Sequence, residues 1–239
     1  MRNKVAFLWI LCFVLSLTLQ AQAKKYAFGD SIYVWASSLN MRESPSQKAK
    51  IVGKVPYGSA VVIGDLEMRK TPYKYKALEA STLEGTNKTK PFYLNGFWVK
   101  VEYDGTLGYI FDGYLSKLKP KPAGTDKFEL LKTWAKRDLK LKPEKLKESE
   151  SEWTEYIGKP DLIRVSIGHD SKTSFREVKL KNTSFEEACM LGISIFQGSY
   201  LMEAVENKVV FKSTDDNGDC EIWITKKGRW AIISLSCSC

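Results

Sequence analysis

Cys189 and His169 are the first pair to weigh for chemistry, because a thiolate activated by an imidazole is a strong nucleophile. His169 is the sole histidine of the chain. Cysteine peptidases of the cell wall set the thiolate at an exposed helix start, with the histidine downstream. Here the histidine comes first and Cys189 falls mid-helix on an apolar stripe, which argues against that chemistry. No Ser-His-Asp order and no metal-ligand spacing rich in histidine occurs. Asp215, Asp216 and Asp219 surround Asn217-Gly218, but the later Glu and regular spacing of a calcium loop are missing, and a hairpin turn accounts for them better. A pair of carboxylates for glycoside hydrolysis leaves no local signature. The block Glu148, Glu150, Glu152 and Glu155 reads as a solvated helix face. The sequence thus implies no catalytic residue, no metal site and no cofactor.

The remaining cysteines point to structure. Cys12 lies in an apolar run, Val5 to Leu19, that follows Arg2 and Lys4 and precedes Ala21-Gln22-Ala23. A positive start, an apolar middle and small residues at the cut form a secretory signal peptide, residues 1–23. The run is shorter than the about 20 apolar residues needed to span a bilayer, and no other stretch comes close. The expected mature chain begins at Lys24 and is exported, to the periplasm or beyond, with no transmembrane segment after signal removal. In an oxidising compartment the even set Cys189, Cys220, Cys237 and Cys239 implies two disulfides. Cys237 and Cys239 are too close to bond each other without strain, so Cys189 and Cys220 are each expected to pair with one of them.

The chain of 239 residues carries a net charge of +9, which falls to +7 once the signal leaves. Lys117 to Lys147 holds eleven Lys or Arg against four Asp or Glu, so that segment alone accounts for the excess. Such a stripe suits an anionic wall polymer or membrane surface, and it also suits a solvated linker and helix face. Export excludes nucleic acid as a partner.

Gly96 to Leu115 alternates aromatic and β-branched residues with polar ones around Asp104-Gly105, the signature of a tight hairpin. Tyr33 to Ser46 predicts a short strand and a polar loop, and Ile51 to Ile63 two strands around Pro56-Tyr57-Gly58. Short strands with such punctuation predict a small β-barrel. Leu39-Asn40-Met41-Arg42 with Pro45-Ser46 resembles the L-N-V-R-x-x-P-S opening of the bacterial SH3 (SH3b) family. Ile51-Val52-Gly53 through Gly58-Ser59-Ala60-Val61-Val62 resembles its second block. Trp98-Val99-Lys100-Val101, Gly105, Gly108-Tyr109-Ile110 and Tyr114-Leu115 resemble its ending. The resemblance covers about residues 30–118, and it departs from the family in a long insert, residues 64–95, that is rich in Tyr, Lys and Thr.

The resemblance implies an SH3-like barrel acting as an attachment module, often for peptidoglycan peptides. An aromatic groove suits such ligands, since Tyr and Trp offer area with a polar tip. The candidates are Tyr33, Trp35, Tyr57, Trp98, Tyr103, Tyr109 and Tyr114, with Tyr103 and Tyr114 expected to be the least tied to the core.

After a linker at residues 119–125, residues 126–239 predict an α+β domain of no recognised family. A helix runs from Asp126 to about Lys140, a second follows Pro143 and carries Leu146, Trp153, Tyr156 and Ile157, and Gly158-Lys159-Pro160 stops it. Two strands flank Gly168 to Thr173, Ser184-x-x-Glu187 caps an apolar helix, and three strands close the chain. The leading expectation is an exported, non-catalytic binding protein whose partner is peptidoglycan, another envelope component or a protein. The alternatives are a wall hydrolase with a carboxylate site in the C-terminal domain, or a secreted partner-binding or inhibitor protein without wall contact.

Overall fold

Alternation at period two governs most of this chain, and in the computed structural model nearly every such stretch is a strand. The structure describes residues 26–65, 72–80, 89–121, 131–148, 151–158, 163–169, 173–196, 198–213 and 219–238. The expected signal peptide, the expected helix start at Asp126, the turn at Asn217-Gly218 and Cys239 lie outside them.

The first sheet contains β1 (Ser31–Val34), β2 (Ser38–Arg42), β3 (Ile51–Pro56), β4 (Ala60–Asp65), β5 (Pro72–Leu78), β6 (Phe92–Tyr103), β7 (Thr106–Phe111) and β8 (Leu115–Ser116). Its order is β3-β2-β7-β6-β4-β1-β8, with β5 added to β6. Ile32, Val34, Met41, Val61, Val99 and Val101 fill the barrel. The β6–β7 hairpin closes at Tyr103 opposite Thr106, with Asp104 at φ +49° and Gly105 at φ +70°, as the Asp-Gly pair demands. The insert is a β-ribbon in its described part: β5 pairs with the first half of β6, Tyr73 opposite Gly96 and Tyr75 opposite Leu94. The strand β6 therefore serves two structures along its length. Val99 and Val101 face the barrel core, while Leu94 and Trp98, on the opposite face, look toward the rest of the chain.

The second sheet is antiparallel throughout, in the order β13-β14-β15-β16-β12-β11-β10-β9. Its strands are β9 (Lys142–Glu148), β10 (Ser151–Ile157), β11 (Ile163–His169), β12 (Thr173–Lys181), β13 (Gly198–Val205), β14 (Lys208–Ser213), β15 (Asp219–Lys227) and β16 (Trp230–Ser238). The antiparallel sheet of the expected α+β domain is present, but the expected set of helices on it is not. The described structure is mostly β, with one regular helix, α1 (Phe185–Phe196), and a short helical turn over 131–138. The helix expected after Pro143 is the hairpin β9–β10, in which Trp153 lies opposite Leu146 and Glu152 opposite Lys147. Pro143 is tolerated because β9 is an edge strand. Gly158, expected to stop that helix, instead donates its N–H to the carbonyl of Ile163 at 3.0 Å across the turn into β11.

Helix α1 starts where the capping residue predicts, the Glu187 N–H donating to Ser184 Oγ at 3.1 Å. It lies close on β15 and β16: a Cβ on Gly192 would come within 2.7 Å of Ile224 Cδ1 and 3.1 Å of Ile233 Cγ2. Cys220 and Cys237 face each other across β15 and β16, with Cα atoms 4.1 Å apart, and are joined by a disulfide. The expected helix-to-sheet disulfide of Cys189 is corrected. Cys189 is a buried free thiol; of its two expected partners, Cys237 is taken by Cys220 and Cys239 lies outside the described residues.

Candidate ligand-binding groove

The groove is built from the faces of the barrel and ribbon that look away from the barrel core. Trp98 and Phe111 are register partners on β6 and β7, and the ribbon swings Tyr73 and Tyr75 over them. Tyr73 lies 5.3 Å from Trp98 and 5.4 Å from Phe111, ring centre to ring centre, and Tyr75 lies 5.6 Å from Tyr114. Phe111 and Tyr114 flank a tight turn, Asp112–Tyr114, fixed by the buried Asp112 carboxylate. That carboxylate accepts a bond from the Tyr26 hydroxyl and another from the Phe97 N–H at 2.6 Å. Gly96 is required beneath it, since a Cβ there would meet Asp112 and approach Phe111 Cε2 to 2.7 Å.

The cleft so formed has a volume of about 770 Å³, in the range of small-molecule and peptide sites. Trp35, Tyr57, Trp98 and Tyr114, four of the aromatics singled out from the sequence, line it. Tyr33, Tyr103 and Tyr109 do not; Tyr103 is half-buried and its hydroxyl lies 3.4 Å from Ser59 Oγ. Nor are Tyr103 and Tyr114 loosely held: both pack against the barrel core, and Tyr114 against the second core as well. The structure adds Arg42, Tyr73, Tyr75 and Phe111, together with Ile193 and Ser194 from α1. The period-two Tyr-Lys-Tyr-Lys of β5 carries a sequence signal for its pair, whereas nothing local marks Ile193 and Ser194.

Three phenols of the groove, those of Tyr57, Tyr73 and Tyr114, are held in their neutral form. Burial pushes Tyr57 up to about 12. Burial also raises Tyr114, with Tyr75 adding to the shift, and it raises Tyr73, where Tyr75 adds and Arg42 opposes. Arg42 is the one charged residue lining the groove among the described residues, and no carboxylate lines it. Cys189 lies elsewhere, buried in the second core, with its thiol pushed up by burial and by the Glu186 carboxylate. Among the described residues no cluster of three His, Cys, Asp or Glu side chains could hold a metal ion, and no helix is long and apolar enough to cross a membrane.

Residues 37–116 match the family described as Bacterial SH3 domain. This unit is a bacterial SH3 domain. No curated protein and no solved structure matches the chain. The matched range includes the ribbon, so in this SH3 domain the described part of the long insert pairs with β6 and adds Tyr73 and Tyr75 to the groove. Another part of the lining, Ile193 and Ser194 of α1, comes from outside the family match.

Proposed function

We propose that this protein is an exported, non-catalytic binding protein that attaches through its SH3 domain to a cell-wall component, a peptidoglycan peptide in first place. The observation that carries the proposal is the aromatic groove. Tyr73, Tyr75, Trp98 and Tyr114 present broad aromatic faces, each with one polar tip (a hydroxyl, or an indole N–H for Trp98), which suits a short peptide or glycan strand. An SH3 domain and a disulfide fit an exported protein, and the basic and apolar opening of the sequence gives a route to export. Binding to a glycan or to a protein of the envelope would use the same surface.

The test incubates the protein with purified insoluble peptidoglycan and measures both the protein that pellets and the muropeptides released. Retention without release is the expected result, and release would overturn the non-catalytic assignment in favour of a wall hydrolase. A basic chain also sticks to anionic walls, so the assay is repeated at high salt, where exposed charges are screened. Retention through the groove persists in salt and weakens about five- to tenfold in Tyr75→Ala, an exposed aromatic whose loss the fold tolerates. Retention that vanishes in salt and ignores Tyr75 would assign the contact to the basic segment instead. No retention under either condition would remove the wall as partner.

A further inference from the structure

We infer that the groove is a composite site for a peptide bearing free carboxylates: Arg42 is the anion anchor, and Ile193 and Ser194 of α1 form the wall that confers selectivity. The inference rests on the proposed role of the groove as a peptide site and extends it to the ligand's chemistry and to a task for the C-terminal sheet.

The charge pattern comes first. Every described lining residue except Arg42 is uncharged. The guanidinium is half-buried, donates from Nη1 to the Ala49 carbonyl at 2.6 Å, and stands close enough to Tyr73 to oppose the rise of that phenol. One Nη hydrogen thus fixes the side chain to the loop after β2, and a fork with five N–H donors keeps others for a ligand. A guanidinium among aromatic rings, with no carboxylate to neutralise it, complements a carboxylate far better than a cation or a neutral sugar. Asn40 and Gln47 sit beside it as neutral amides able to bond a peptide backbone.

The second wall carries the other half. Ile193 and Ser194 lie on the half-buried flank of α1, and the Ser194 hydroxyl donates to the Trp35 carbonyl at 3.4 Å. Trp35 itself lines the groove, so the helix both closes the cleft and ties itself to the barrel backbone there. An apolar Ile193 in the same lining as the ribbon tyrosines gives the cleft an aliphatic surface, which selects small aliphatic side chains over bulky or charged ones.

The probe is a synthetic cell-wall stem peptide in two forms, with its carboxylates free and with each converted to the primary amide. Calorimetric titration of the full chain is expected to show about ten- to hundredfold weaker binding of the amide form. In Arg42→Gln that preference disappears, and in Arg42→Lys part of it returns. Because the comparison of peptides is made first on the unaltered protein, it does not depend on a variant folding. Ile193→Ala is expected to weaken the free form about three- to tenfold, with the preference for carboxylate retained. Equal binding of the two forms overturns the carboxylate anchor and leaves the peptide groove standing. Binding of neither form overturns the groove as a peptide site. A preference that survives Arg42→Gln removes Arg42 from the role, and Ile193→Ala binding like the unaltered chain removes the α1 wall.

Discussion

Single residues in this protein do their work by holding the backbone close to an aromatic surface. Asp112 lies almost wholly out of solvent and spends its carboxylate on the Tyr26 hydroxyl and the Phe97 N–H, so the turn between β7 and β8 is fixed from two directions. Tyr57 does the same at the other end of the groove, donating its hydroxyl to the carbonyl of Lys121 at 2.9 Å. Burial favours the protonated phenol, whose pKa rises from 10.0 to about 12. A group whose folded pKa is raised holds its proton more tightly in the folded chain, so its contribution to stability is intact below pH 10 and lost as pH climbs toward 12. Tyr114, raised by the same cause, acts in the same direction. Thermal melting followed from pH 8 to 12 is expected to decline most steeply in the upper half of that range. Tyr57→Phe melts lower at pH 8, having lost a hydrogen bond, yet declines less over the alkaline range. An equal slope in the two proteins would show that Tyr57 does not carry the effect. In sequence Tyr57 is legible as an aromatic of the Pro-Tyr-Gly turn; its partner carbonyl, 64 residues on, is not.

Among the elements, those specified by local patterns were the easiest to read and those specified by distant contacts the hardest. The β6–β7 hairpin, β11, β12, β14, β15, β16 and the start of α1 follow from alternation, turn residues and a capping serine that act within a few positions. The hairpin β9–β10 is hard to read because Leu146, Trp153, Tyr156 and Ile157 also fit a helical face, and only the pairing of β10 with β9 and β11 separates strand from helix there. The strand β13 was missed because its pairing with β14 slips twice, which blurs the alternation. The disulfide shows how pairing follows register. Four cysteines at core-facing positions left the partners open, and only the alignment of β15 with β16 brings Cys220 opposite Cys237. A bond closing 17 residues is expected to contribute about 2–3 kcal/mol, since the hairpin between its ends already limits the unfolded chain. Denaturant titration of the double variant Cys220→Ala, Cys237→Ala against the oxidised protein measures it. Cys189, buried beneath α1, is expected to label with a thiol reagent only once denaturant unfolds the chain, as peptide mapping would report. Rapid native labelling at Cys189 would mean that the helix lifts from the sheet.

At the scale of the molecule the two sheets share a core, and the described part of the segment expected to link them, residues 119–121, is clamped between them. Trp35, Leu94 and Phe111 from the SH3 side belong to the same buried cluster as Trp134, Val178, Phe211 and Ile233. Three aromatic donors hold residues 118–121: Trp35 Nε1 to the Leu118 carbonyl at 2.9 Å, Trp134 Nε1 to that of Lys119 at 2.6 Å, and Tyr57 to that of Lys121. Lys119 also reaches Asp138 at 3.2 Å, which ties the strap to the helical turn. The ribbon completes the contact by setting Phe92 against Phe211 at 4.8 Å. Pro, Gly and Lys in this stretch have the composition of a linker, and composition alone cannot report that its carbonyls meet indoles from both sides. Two consequences follow for stability. The full chain is expected to unfold in a single transition, because neither sheet can open without exposing Trp35 and Trp134, which meet edge to face at 6.0 Å. Trp35→Ala should then lower the stability of the whole chain by about 3–5 kcal/mol rather than that of the barrel alone. A fragment of residues 24–121 keeps the entire SH3 match but leaves Trp35, Leu94 and Phe111 without their cover. It is expected to melt well below the intact protein, or to associate, and to bind peptidoglycan more weakly than the full chain because the α1 wall is gone. Calorimetry of the full chain showing two separate transitions, with a fragment as stable and as competent in binding as the whole, would mean that the sheets are independent and that the shared core stabilises neither.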